Sequence, residues 1–224
     1  NVGMLELDVE VDSNQVARLK RRDTPIYNPG LSEMLKENVD SGRIRFTTSA
    51  AEGVAHGLNQ FIAVGTPPAE DGSADMKYVL AVANSIGEHM QEYRVVISKS
   101  TVPVGTADRV QAAIAGQLKA RAAKVEYDVV SNPEFPKEGA AITDFLKPDR
   151  IVCGVSSDKA GEQMHALYSP FNRNHDKLII MDVRSSQLTK YTANALLATT
   201  ISFMNEMANL PDDTGTGIGA GAHG

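Results

Sequence analysis

From residue 5 the chain alternates: Leu5, Leu7, Val9 and Val11 are separated by Glu6, Asp8 and Glu10, the two-residue period of a strand. SNQVARLKRR then spaces its apolar residues as a helix does, with Ser13 as the expected N-cap. Beyond the loop TPIYNPG the pattern predicts a short helix over LSEMLKENVDSG, a strand over residues 44–47 and a short helix over 49–55. Residues 61–64 form a continuous apolar run, the mark of a strand buried on both faces. It opens into Gly65-Thr66-Pro67-Pro68, and a helix over 76–93 follows. The same unit then recurs. Strands are predicted over 95–97, 125–130, 151–155 and 178–181, and helices over TADRVQAAIAGQLKA and 159–168.

Short apolar strands alternating with helices of about 10–15 residues predict an α/β fold with a doubly wound, mostly parallel, Rossmann-like sheet. A long connecting helix closes it, over residues 185–210. Three regions result: a sheet domain over 1–183, the long helix over 184–210, and a tail over 211–224. The tail has five glycines in fourteen residues and no apolar period, so it reads as loop. On the long helix Lys190 and Asn194 lie four residues apart, on one face. Their stripe continues through Leu197 and Ile201, which directs it into the protein or a cleft. Two readings stay open: a snorkelling lysine with a satisfied amide, or a pair of functional groups.

Composition removes several function classes. The net charge is −6 with no clustered basic residues, which argues against nucleic acid as a partner. No run approaches the ~20 apolar residues of a membrane span, and no signal peptide is visible. The single cysteine, Cys153, excludes an intrachain disulfide and fits a reducing, cytoplasmic compartment. One cysteine and five scattered histidines offer no metal-ligand spacing. Cys153 sits inside the apolar strand IVCGV, where a thiol behaves as a small hydrophobe.

Candidate chemistry gathers at strand ends. In an open parallel sheet ligands bind beyond the carboxyl edge. Thr66, Thr101 and Glu134 all fall there. The threonines either hydrogen-bond a cofactor or catalytic water, or serve as turn residues. Glu134 is either a general base or a solvated loop carboxylate. Lys190 has the charge to hold a developing oxyanion, and Asn194 could support the same oxygen. Glu10 or Asp12, at a strand end ahead of a helix, fits a ribose hydroxyl or is a solvated carboxylate.

Six segments in order, PIYNPGL, FIAVGTPPAEDGSAD, SKSTVPVGT, SNPEFPKEGAAITDF, KPDRIVCG and QLTKYTANALLATTISFMNE, together resemble the UDP-glucose 6-dehydrogenase family. The resemblance implies NAD as cofactor and UDP-glucose as substrate. The C6 alcohol would go to the carboxylate of UDP-glucuronate in two hydride transfers, through a thioester on a cysteine. By motif, Glu134 would be the base or water-positioning carboxylate, and Thr101 would hold that water. Lys190 and Asn194 would stabilise the C6 oxyanion. Phe135, Pro136 and Lys137 would line the sugar nucleotide. NAD would meet Gly3, Glu10, Gln15, Val64, Gly65, Thr66, Pro67, Ser100, Thr101, Val102 and Glu138. The long helix would join two domains and carry a homodimer contact.

The chain also departs from that pattern. The family's opening strand and most of its glycine fingerprint are missing, with Gly3 matching the third glycine. The segment that would carry the catalytic cysteine is replaced by PDDTGTGIGAGAHG. Pro136 stands where leucine is usual and Gln187 where glutamate is usual. Two alternatives follow: a non-catalytic nucleotide-binding or dimerisation remnant, or a dehydrogenase of GDP-mannose or UDP-N-acetylmannosamine.

Overall fold

The computed structural model describes residues 6–9, 12–24, 29–67, 74–135, 142, 146–171 and 177–214. Strand β1 (Glu6–Val9) pairs in parallel with β2 (Ile44–Thr47). A five-stranded sheet runs β3 (Asn59–Ile62), β4 (Arg94–Ser98), β5 (Tyr127–Ser131), β6 (Ile151–Gly154), β7 (Leu178–Met181), in that spatial order. Its pairings are parallel except β5–β6, which meet antiparallel through Ser131 and Gly154. Parallel neighbours require crossovers, and helices supply them.

Helices α1 (Ser13–Lys20) and α2 (Leu31–Asp40) share a small core with β2, built on Val16, Leu35 and Phe46. Helix α3 (Ala50–His56) leads into β3; α4 (Lys77–His89) and α5 (Thr106–Ala120) lie on one face of the larger sheet. Helix α6 (Asp158–Tyr168) lies on the other. Side chains alternate accordingly along β4: Val96 joins the cluster with α4 and α5, whereas Val95 and Ile97 join the cluster with α6. All five residues of β4 are buried, as expected of a central parallel strand. Burying each of its aliphatic side chains contributes roughly 1.5–3 kcal/mol.

Helix α7 (Val183–Thr214) begins against β6. Gly154 permits that contact, because a Cβ there would lie 2.6 Å from Ser186 Cβ and 2.7 Å from Val183 Cα. The fold class therefore matches the sequence pattern, with five local differences. The N-cap of α1 is Asp12 rather than Ser13; its carboxylate accepts from Asn14 N at 2.8 Å. Strand β3 ends at Ile62, and Phe61 is 41% exposed, so this strand is covered on one face only. Among the described strands it pairs with β4 alone, which is why the apolar run misled. Helix α4 stops at His89, because Met90 turns to an extended backbone and feeds the chain into β4. Helix α7 starts two residues early and runs to Thr214, through Pro211. Pro211 lacks a backbone N–H yet does not end the helix. Finally, Leu197 and Ile201 are 60% and 52% exposed, so the stripe they share with Lys190 is not core.

Candidate active site at the carboxyl edge

The strands β3, β4 and β5 end side by side, and short polar bonds hold their exit loops together. Lys99 N donates to Ile62 O and Asn132 N to Ser98 O, both at 2.9 Å. Ser100 Oγ donates to Val64 O at 2.7 Å, and Thr66 Oγ1 to Thr101 O at 3.1 Å. The family resemblance implies that Val64, Gly65, Thr66, Pro67, Ser100, Thr101 and Val102 line one cofactor surface. The geometry brings the two loops carrying them into direct contact. Val102 is buried in the core, Thr101 is exposed, and the position a Cβ would take on Gly65 is open. An open glycine beside two stapled loops leaves room for a nucleotide at the end of a parallel sheet.

The β5 exit loop carries the candidate base. Glu134 is exposed and forms an ion pair with Lys99, Oε2 to Nζ at 3.6 Å. Phe135 follows, with the Lys190 ammonium 5.0 Å from its ring centroid and the Arg150 guanidinium at 5.1 Å. Both are within cation–π range. Lys190, half-buried on the second turn of α7, is lowered from its ordinary pKa by burial, and the nearby Glu134 carboxylate opposes that fall. Glu134, Phe135 and Lys190 thus meet. Asn194, one turn further along α7, is exposed. Gln15 is half-buried on α1. Gly3, Glu10, Pro136, Lys137 and Glu138 lie outside the described residues. Asp12 is the alternative ribose candidate, and its Oδ1 is used in capping α1.

Beneath this surface is a buried polar layer that the sequence reading passed over. Asn132 is 2% exposed, and its Nδ2 donates to Val152 O at 2.8 Å. Its Oδ1 accepts from Tyr168 OH and from Lys99 Nζ, the latter at 3.5 Å. Burial lowers the Lys99 pKa, with Glu134 pulling the other way. Burial raises Tyr168, and pushes the Cys153 thiol up to about 12 against the influence of Lys99. A fully buried, protonated thiol is not an attacking nucleophile. Helix α7 is pinned by Arg184, whose Nη2 donates to Asp108 Oδ2 at 2.9 Å, and by two buried polar side chains. Ser186 Oγ donates to Ser131 O at 3.2 Å, and Gly105 N donates to Gln187 Oε1 at 2.9 Å. The second bond ties α7 to the loop that carries Thr101. Gln187 Nε2 has no partner among the described residues. Lys99 was findable: a lysine directly after the apolar strand VVIS must sit at the edge of the core.

Among the described residues no group of three His, Cys, Asp or Glu side chains could hold a metal ion. No described helix is long and apolar enough to cross a membrane.

Comparison with known proteins gives this arrangement a context. Residues 3–172 match the family model described as UDP-glucose/GDP-mannose dehydrogenase family, NAD binding domain, and residues 184–220 match the central domain of the same family. The chain is 50% identical over 210 residues to a UDP-glucose 6-dehydrogenase of Pseudomonas aeruginosa, covering 94% of the chain and 46% of that protein. It is 40% identical to the UDP-glucose 6-dehydrogenase TuaD of Bacillus subtilis, over 96% of the chain and 45% of TuaD. Among solved structures, a UDP-glucose dehydrogenase from Pyrobaculum islandicum superposes with a TM-score of 0.87 at 41% identity, over 94% of this chain and 48% of that one. A ternary complex of a Pseudomonas aeruginosa GDP-mannose dehydrogenase gives a TM-score of 0.87 at 29% identity, over 96% and 49%. The chain therefore spans about half the length of the curated relatives it matches.

Proposed function

The chain belongs to the UDP-glucose/GDP-mannose dehydrogenase family, and from that premise we propose that it carries the NAD-side half of a UDP-glucose 6-dehydrogenase. The observation that carries the reading is the meeting of Glu134, Phe135 and Lys190 beside the stapled β3 and β4 loops. A base, an apolar wall and a cation face one edge of the sheet, within the stretch 3–172 that matches the family's NAD binding domain. The overall reaction balances as one primary alcohol plus two NAD⁺ and one water giving a carboxylate, two NADH and three protons. NAD supplies the hydride acceptor for both oxidations.

The chain's own residues have these roles. Val64 to Pro67 and Ser100 to Val102 line the cofactor, and Gly65 leaves space for it. By the family resemblance Gly3, Glu10, Gln15 and Glu138 are further NAD contacts. Thr101 and Glu134 hold the water that hydrolyses the thioester after the second oxidation, and Glu134 accepts its proton. Lys190 stabilises the negative oxygen that develops at C6, since a half-buried cation acts more strongly there than in water. Asn194 supports the same oxygen. Phe135, Pro136 and Lys137 line the sugar nucleotide. The attacking thiolate is not Cys153, which is buried and holds its proton. Helix α7 forms a homodimer through its exposed apolar half.

The test uses the full-length protein with NAD and UDP-glucose. Two NADH per sugar are expected, with UDP-glucuronate as product. NADH release with GDP-mannose or UDP-N-acetylmannosamine but not UDP-glucose would move the substrate to a relative. No turnover with any of them, together with no NAD binding by calorimetry, would favour the non-catalytic remnant.

A further inference from the structure

We propose that Lys99 is a positioning residue for Glu134: anchored below by Asn132, its ammonium fixes the carboxylate where it meets the reacting centre. The inference rests on the reading of Glu134 given above. Three observations lead to it.

The first is burial. The Lys99 side chain is 15% exposed, whereas the Glu134 side chain it pairs with is 48% exposed. A lysine is seldom held so deep unless something there uses its charge. The second is direction. Asn132 cannot be turned over, because its Nδ2 is committed to Val152 O at 2.8 Å. Its Oδ1 must therefore face Tyr168 OH and Lys99 Nζ. Both of those are donors, so the lysine is held from beneath at a defined height. The third is position. Lys99 is the first residue after β4, and its own N–H is bonded to Ile62 O. Its stem thus leaves a central strand, and its head reaches the β5 exit loop at Glu134, 3.6 Å away. Among the described residues, the charge of Lys190 also acts on that carboxylate.

The arrangement does not look like a stability device. Burial is the larger influence on Lys99, and it outweighs the attraction of Glu134. Removing the charge leaves Asn132 Oδ1 bonded to Tyr168 and leaves Glu134 in contact with water. Lys99→Met should therefore fold as well as the parent or better, while losing what the charge does for Glu134. A purely structural lysine predicts the reverse.

The experiment compares Lys99→Met, Lys99→Arg, Glu134→Gln and the double variant Lys99→Met/Glu134→Gln in the full-length protein with NAD and its nucleotide sugar. Lys99→Met is expected to lower kcat about 10-fold or more, with the sugar-nucleotide KM within about 2-fold and the Tm unchanged or raised. Lys99→Arg should recover most of the kcat. In the double variant the Lys99→Met effect should vanish, because a positioning residue has nothing left to position. The proposal is overturned if Lys99→Met keeps kcat within about 2-fold, if its loss follows a fall in Tm, or if the two substitutions act additively. Failure of the underlying reading is separate. It appears as a Glu134→Gln protein with parental kcat, whatever Lys99→Met does.

Discussion

Helix α7 is one continuous element with two halves that obey opposite rules. Near its start two polar residues are inside: Ser186 is fully buried and Gln187 is 2% exposed. Further along the apolar residues are outside: Leu196 is 67% exposed, and Phe203 and Leu197 are each 60%. The first half is held by specific bonds to Ser131 and Gly105 and by the close approach at Gly154, so its register against the sheet is set. That register is what brings Lys190 to Phe135. The second half presents Leu196, Leu197, Ile201, Phe203, Met204 and Met207 to solvent among the described residues. A run of this kind marks an interaction surface rather than a solvated face. The helix therefore uses buried polar residues to set its aim, and under the proposed dimer its exposed apolar residues would serve assembly. Substitutions in the two halves should separate the two functions.

The largest effect is expected at Lys190. Lys190→Met should reduce kcat about 10²–10³-fold, the usual cost of deleting one oxyanion-stabilising group, and leave the oligomeric state alone. Steady-state kinetics with light scattering on the same samples reads both. A loss of oligomer in that variant would break the division between the halves.

Next comes Gly154→Ala. Its Cβ would press on Ser186 and Val183, whose atoms cannot yield without lifting α7 from β6. Overpacking of this kind costs about 1–3 kcal/mol, and thermal unfolding should show it. Because the helix start would move, kcat should fall too. Destabilisation with unchanged kcat would mean that aim is set by Gln187 rather than by the approach at Gly154.

A smaller effect belongs to the second half. Leu197→Asp should weaken self-association by about 10-fold or more, the range of a single interface anchor, with little change in the stability of one subunit. Analytical ultracentrifugation over a concentration series measures it. Unchanged association, or none in the parent, would overturn the proposed dimer contact on α7.

These contrasts also show what the chain disclosed in advance. The α/β alternation was legible because short apolar runs and capped helices are local signals; residues 44–47, 106–120 and 178–181 were read with their observed bounds. The ends of α7 were not, since neither the docking of Val183 nor the passage through Pro211 has a local marker. Phe61 was misread because an apolar run does not tell an edge strand from a central one. Leu197 and Ile201 were misread because periodicity finds an apolar stripe without saying which molecule covers it. The position of Thr66, Thr101 and Glu134 just beyond strand ends was legible from topology alone. Lys99 and Asn132 were not singled out, because their roles come from contacts between β4, β5 and α6 that are distant in sequence.

The smallest predicted effect concerns pH, and the sheet edge beneath the docked half of α7 should show it while the exposed half does not. Lys99 faces Glu134 from the β5 exit loop, Cys153 from β6 and, through Asn132, Tyr168 from α6; Lys190 reaches Glu134 from α7. Lys99 and Lys190 are both below their ordinary 10.5 in the folded protein. Between those lowered values and 10.5 the unfolded chain binds more protons, so each lysine makes stability rise with pH. Cys153 acts in the other direction. It keeps its proton up to about 12 when folded but loses it near 9 when unfolded, so stability falls across that interval. Tyr168, raised above its ordinary 10.0, adds to the fall at the alkaline end. The parent's own curve mixes these trends, whereas the difference between parent and Lys99→Met isolates the lysine. Thermal unfolding from pH 7 upward should show the parent gaining on Lys99→Met as pH rises, whereas Leu197→Asp should track the parent at every pH. A parent that instead loses ground to Lys99→Met would mean that attraction to Glu134 outweighs burial at Lys99, and that the lysine contributes to stability after all.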